Sequence, residues 1–172
     1  MWNRPSPRLI KTASDEDALA RGTDDAPAAD ADSRAELAAV AFLPGNDHCA
    51  DCEASGPDVC TWAVVNWGTF VCLRCASAHR QLGTHVSRVR SVTLDTWTPD
   101  EVEFMRHMGN ARANRIWEQE IPRGCRRPSP SADQPERFAW VEAKYVHQRF
   151  FGVSIAMHEA DRADAADAAD AA

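Results

Sequence analysis

Four cysteines in two tight pairs constrain this chain more than any other feature. Cys49–Ala50–Asp51–Cys52 and Cys72–Leu73–Arg74–Cys75 are C-x-x-C knuckles with nineteen residues between them. That gap fits the spacing of about 15–20 residues at which two knuckles share one zinc ion. No apolar export signal stands near the N-terminus, so a metal site outranks a disulfide framework. Four thiolates complete a tetrahedral shell and leave no position for a reacting water. The expected cofactor is therefore one structural Zn(2+) held by Cys49, Cys52, Cys72 and Cys75. Cys60 and Cys125 stand outside the pattern and read as ordinary thiols.

Charge divides the chain into three parts. Residues 1–32 hold 4 Lys/Arg and 7 Asp/Glu, and residues 156–172 hold 1 Arg and 5 Asp/Glu. Residues 33–155 carry 14 of each sign, so the whole net charge of −7 sits in the two ends. The expected organisation is a disordered acidic segment over 1–32, one folded zinc domain over 33–155, and a disordered Ala/Asp-rich tail over 156–172. A neutral domain with acidic ends does not suit a nucleic-acid binder held by phosphate attraction. The longest apolar run, Leu37–Leu43, is seven residues, where a membrane span needs about 20. A soluble, cytoplasmic protein is expected.

Periodicity and punctuation give the elements. Ser33 followed by Glu36 reads as a capping box opening a first helix, which Pro44–Gly45–Asn46 ends. Thr61–Asn66 and Thr69–Cys72 around Gly68 read as a hairpin, and Ser91–Leu94 as a third strand. A helix is expected from Cys72 to Leu82, with Gly83 as its stop. Thr98–Pro99–Asp100–Glu101 opens another helix, which Gly109–Asn110 interrupts before Ala111–Glu120. Asp133 caps a last helix with Phe138, Val141 and Tyr145 inward. The expected fold class is α+β, a small zinc-stapled domain with a short three-stranded sheet surrounded by about five helices.

If the zinc is structural, function lies in what the helix after the second knuckle carries. From Arg74 to Arg90 there are four arginines and no acid. Arg80 lies five residues past Cys75, about 140° around the helix, and so faces away from the metal. His79, four residues past Cys75, shares the metal side and reads as a partner of a cysteine sulfur or a satisfied structural residue. Trp62 reads equally as core or as an interface anchor, while Trp97 reads as core.

These residues carry a resemblance. Leu43–Asn46, the four cysteines, His79–Arg80, Leu82–Val89 and Leu94–Trp97 resemble the Arf GTPase-activating protein (ArfGAP) domain. So do Gly109–Ala111, Ala113–Glu118 and Ala143–Val146, and the likeness runs through nearly all of 33–151. It implies a small α+β zinc domain that stimulates GTP hydrolysis on an Arf-family small GTPase in its GTP form. It makes Arg80 the catalytic arginine finger, supplied in trans, with Thr84, His85, Ser87 and Arg88 as flanking partner contacts, and Trp62, if it is an interface anchor, joins them. The chain itself has no GxxxxGK[ST] phosphate loop, as expected of an activator and not a GTPase. The resemblance also implies vesicle trafficking, with peripheral recruitment to Golgi or endosomal membranes through a partner. Against the family pattern, the gap between knuckles is about three residues longer, Ala76–Ser77–Ala78 replaces a sequence with a large apolar third residue, and Trp67 replaces an aliphatic one. The Ala78 departure motivates a second reading, a non-stimulating adaptor that binds a GTPase or coat component.

Overall fold

The structure is a computed structural model and describes residues 26–56 and 58–152. Of the segment 1–32 expected to be disordered, residues 1–25 lie outside the described residues and 26–32 are the first turns of α1; the tail 156–172 also lies outside the described residues. The elements run α1 (Ala26–Ala41), β1 (Trp62–Val64), β2 (Thr69–Val71), α2 (Leu73–Leu82), β3 (Val89–Ser91), α3 (Pro99–Trp117) and α4 (Gln134–Val141). A π-helical turn, Glu142–Val146, continues α4 directly. The sheet is antiparallel with strand order β2-β1-β3. No helix among the described residues is long and apolar enough to cross a membrane.

Two expected boundaries are corrected. The first helix does not start at Ser33 but at Ala26, and Ser33 is buried inside it. Ala has the highest helix propensity, so the alanines ahead of Ser33 carry the helix past its capping signal. Glu36 pairs instead with Arg106 of α3. The third strand is Val89–Ser91 and not Ser91–Leu94. Ser91 is where the strand turns: its Oγ accepts from the N–H groups of Thr93 and Leu94, and Asp95 Oδ2 accepts from Ser91 N. Local hydroxyl and carboxylate acceptors thus override the β-branched pattern.

The helix reading is otherwise close. Thr98 and Glu101 form the full capping box of α3, and Asp133 caps α4 through the Glu136 N–H. The expected interruption at Gly109–Asn110 is a break inside one element, α3, where Gly109 has φ 62° and ψ 169°. A side chain at Gly109 would also meet Asn46 Oδ1 at 2.9 Å. Among the described residues, four helices and a π-helical turn therefore stand where about five helices were expected.

The sheet separates two packing regions. Ala63 and Phe70 pair across β1 and β2 and face Leu37 and Val40 of α1 and Val102 and Met105 of α3. Trp97 is core, as expected. Val64 and Val71 face the cysteine knuckles. A third cluster joins α2, the second half of α3 and α4 through Ala78, Trp117, Trp140, Val141, Tyr145 and Phe150. Asn110 locks the α3 break to the sheet. Its Oδ1 accepts from Phe70 N at 2.7 Å, its Nδ2 donates to His48 O and Phe70 O, and its own N–H donates to Asn46 Oδ1. Removing this side chain leaves the buried Phe70 N–H without its acceptor and takes a donor from His48 O and from Phe70 O, which keeps Ala50 N. Asn110→Ala is expected to lower unfolding free energy by about 3 kcal/mol, read as a drop in the urea midpoint with unchanged slope.

Candidate metal centre and arginine site

The four cysteine sulfurs lie within 4.8 Å of one another, all four residues are buried, and none is in a disulfide. Metal–sulfur bonds of about 2.3 Å in a tetrahedron place sulfurs about 3.8 Å apart. The Cys52 and Cys72 sulfurs are 3.8 Å apart, so the donor set fits a thiolate-bound metal ion. Cys49 Sγ also accepts from Cys72 N at 3.3 Å, which ties the first knuckle to the residue that precedes α2.

Charged side chains close around this centre, and the sequence reading did not single them out. Arg137 of α4 is buried; it donates to Cys75 Sγ at 3.3 Å and to the carbonyls of Ser129, Pro130 and Ala132. Burial disfavours its charge, but the Cys52 and Cys75 sulfurs outweigh burial and hold the guanidinium firmly protonated. Lys144 lies on the other side with a fully buried side chain. Its ammonium reaches Asp51 Oδ1 at 2.8 Å, Glu118 Oε1 at 2.7 Å, Asn114 Oδ1 at 2.8 Å and Ala50 O at 2.9 Å. The Tyr145 hydroxyl donates to the same Asp51 oxygen at 2.9 Å. Burial pushes the Asp51 carboxyl up, but the Lys144 charge and the His79 hydrogen bond more than offset it, and it titrates well below the usual carboxylate range. Burial, then Asp51, raises the Tyr145 phenol well above its usual value.

His79 completes the tie between the first knuckle and α2. Its Nε2 is 2.9 Å from Asp51 Oδ2 and its Nδ1 is 2.9 Å from Ser87 Oγ, while Trp67 Nε1 donates to that hydroxyl. With one ring proton, on Nε2, every donor in this chain meets an acceptor. His79 thus reaches an acid inside the knuckle and not a cysteine sulfur. The order of groups is that of a Ser-His-Asp triad, but Ser87 is only 2% exposed and its oxygen is already taken by the Trp67 indole N–H, so no substrate reaches it. The arrangement is a support, not a nucleophile.

Arg80 emerges from the far side of α2 and is exposed. Its guanidinium carbon lies 4.3 Å from the centre of the Trp62 ring, within cation–π range. Trp62 is half-buried on β1, so it is both packed and a platform. Gly83, with φ 87°, ends α2 and donates to the Arg80 carbonyl. Ser87 N and Val86 N donate back to Gly83 O, which fixes the turn carrying Thr84 and His85. Both of these are exposed and Arg88 is half-buried, all near Arg80 in sequence. Ser87, expected as a partner contact, is held inside beneath that turn.

The Ala78 departure has a packing answer. Ala78 is fully buried, and Trp117, Trp140 and Tyr145 share its cluster with Trp67 packed alongside. Trp67 meets Trp117 edge-on at 4.8 Å and stacks on Tyr145 at 5.3 Å. Aromatic bulk therefore surrounds the small residue on α2.

A metal-stapled α+β domain that projects one arginine from an aromatic platform is the class defined so far. The sequence model of the ArfGap family, described as GTPase activating protein for Arf, matches residues 34–154. The chain belongs to this family. It is 46% identical over 111 residues to ADP-ribosylation factor GTPase-activating protein AGD12 of Arabidopsis thaliana, covering 64% of this chain and 32% of that protein. It is 45% identical over 106 residues to stromal membrane-associated protein 1 of Mus musculus, covering 62% of this chain and 23% of that protein. The chain thus spans about a third or less of the length of these relatives. In fold it is similar to the ArfGap domain of HIV-1 Rev binding protein, with TM-score 0.62 and 26% identity over 73% of this chain and 91% of that one.

The buried ammonium carries a clear expectation. Removing one member of a buried ion network leaves its partners uncompensated, at a cost of about 3–5 kcal/mol. Lys144→Met should lower stability by about that amount in chemical denaturation, more than Arg106→Met at the exposed Glu36 pair.

Proposed function

We propose that this chain is a GTPase activator that stimulates GTP hydrolysis on an Arf-family small GTPase by inserting Arg80 into the partner's nucleotide site. The observation that carries the reading is the exposed Arg80 guanidinium, held over Trp62 on a helix whose start bears Cys72 and Cys75. Family membership and relatives named as GTPase-activating proteins support the partner class.

The chemistry follows from charge. Hydrolysis of the γ-phosphate develops negative charge on oxygens that the GTPase cannot fully neutralise alone. A planar, permanently charged guanidinium brought from outside binds two of those oxygens as a fork and is weakly enough hydrated to leave water. Such an arginine is worth about 10³–10⁵ in rate, or about 4–7 kcal/mol of barrier. Trp62 holds the group before contact, so less side-chain freedom is lost on insertion. Thr84, His85 and Arg88 surround the point of entry and are the proposed contacts. Ser87 acts through His79 and Trp67.

Cys49, Cys52, Cys72 and Cys75 would hold one zinc ion, which supplies folding energy and no reaction step, because four thiolates leave no open coordination position. The chain's own residues keep α2 aimed outward. GTP and the attacking water belong to the partner. Trafficking at Golgi or endosomal membranes, reached through that partner, is the corresponding cellular setting. The close aromatic packing at Ala78 supports the activator reading over the adaptor alternative.

Single-turnover hydrolysis on GTP-loaded Arf is the test. The chain should accelerate it, and Arg80→Lys should abolish the acceleration while circular dichroism and Arf binding persist. An equal rate with and without the wild-type chain would assign the adaptor role, and retained stimulation by Arg80→Lys would refute the finger. Trp62→Ala should reduce kcat/KM about fivefold, the equivalent of losing about 1 kcal/mol of cation–π pre-positioning.

A further inference from the structure

We propose that the pocket walled by Trp140 and Phe150 is a docking site for this chain's own segment 153–172. Ile155 and Met157 enter the pocket, and the acids beyond them face Arg126 and Arg149. The pocket has a volume of about 330 Å³ and lies between the loop after α3 and the end of α4. Its walls are largely apolar: Pro122 and Pro128 from the loop, and Trp140 packed at a tilt against Phe150, ring centres 4.7 Å apart. Trp140 is 6% exposed, and its indole N–H has no acceptor among the described residues.

The rim selects charge. Arg126 and Arg149 both line the pocket, both are exposed, and neither side chain has a partner among the described residues. Glu136 is the acid on the same rim, so the local balance stays positive.

Segment 153–172 meets both requirements. The described chain ends at Gly152, two residues after Phe150, itself a wall of the pocket. Ile155 is three residues further on, a reach of about 10 Å in extended chain. Val153–Ser154–Ile155–Ala156–Met157 alternates large and small side chains, which puts the large ones on one side of an extended strand. Glu159, Asp161, Asp164, Asp167 and Asp170 follow, against one Arg162. Tethering makes docking effectively intramolecular at millimolar concentration, so one filled pocket and a few charge contacts suffice.

Cys125 reports on the pocket. It lines the wall and is exposed, whereas the other five cysteines are buried. The experiment is the alkylation rate of Cys125 in the full metal-loaded chain, read by mass spectrometry. Ile155→Asp with Met157→Asp should speed alkylation roughly tenfold, the equivalent of about 1.4 kcal/mol of docking. These residues lie outside the described core, and an unchanged circular dichroism spectrum confirms that folding is untouched. Arg149→Glu should also speed alkylation, and adding Glu159→Arg with Asp161→Arg should restore the slow rate, which a direct effect of Arg149 on the thiol would not allow. Equal rates in wild type and the Ile155→Asp/Met157→Asp chain overturn the proposal. A charge swap that restores nothing overturns the pairing with Arg149. Protection that grows with protein concentration assigns the segment of a second copy and overturns docking within one chain.

Discussion

Lys144 brings an ammonium to a place that water does not reach, and it is held there by an acid from the first knuckle, an amide on α3, the acid just past the end of α3, and a backbone carbonyl. Two fully desolvated charges attract strongly only when every remaining donor and acceptor is also met. Tyr145 and His79 meet the rest of Asp51. On the opposite side Arg137 donates to a cysteine sulfur, a fitting neighbour for a shell that keeps about two negative charges after a dication is bound. The four sulfurs are therefore half of a staple whose other half is ionic. Together they fix the start of α2, and through it the direction of Arg80.

This network couples the first knuckle, which packs in the cysteine cluster, to the end of α3 and the π-helical turn, whose apolar side chains pack in the third cluster. Asp51 lies in the first knuckle, Asn114 on α3, Glu118 just past its end, and Lys144 and Tyr145 in the π-helical turn after α4. His79 relays Asp51 to Ser87, and Ser87 to the Trp67 indole. The turn carrying Thr84 and His85 is thus tied to the metal shell through hydrogen bonds, in a region where a small residue, Ala78, leaves room for four aromatic rings. A Ser, a His and an Asp in a row here stiffen the helix that bears an arginine, because burial takes the hydroxyl out of reach of any substrate.

The metal centre was legible because two knuckles leave few alternatives, and the outward direction of Arg80 because helical geometry separates it from Cys75. The α3 capping box and the Gly109 break were legible for the same reason: each depends on neighbours in sequence. The buried charges were not, since Asp51, Glu118 and Lys144 meet across 26 and 93 residues. One signal was present: Lys144 sits three residues after Val141 and beside Tyr145, on the face otherwise read as inner. A lysine there requires buried partners. The starts of α1 and β3 were misread where a local signal met a stronger neighbour, alanine propensity in one case and a serine-centred turn in the other. Ser87 was expected as a contact from the family resemblance, and a motif match does not distinguish the outside of a turn from the inside.

If the thiolate shell and its ionic backing are what orient α2, the metal must be part of folding and not an ornament on a finished domain. Titrating zinc into the chelator-stripped chain, with native mass spectrometry for stoichiometry and near-ultraviolet circular dichroism for the aromatic cluster, tests this directly. The account predicts one ion per chain and a gain of native aromatic signal that saturates at the same point. A stripped chain that already shows the full native signal, or an ion that binds without changing it, would contradict it.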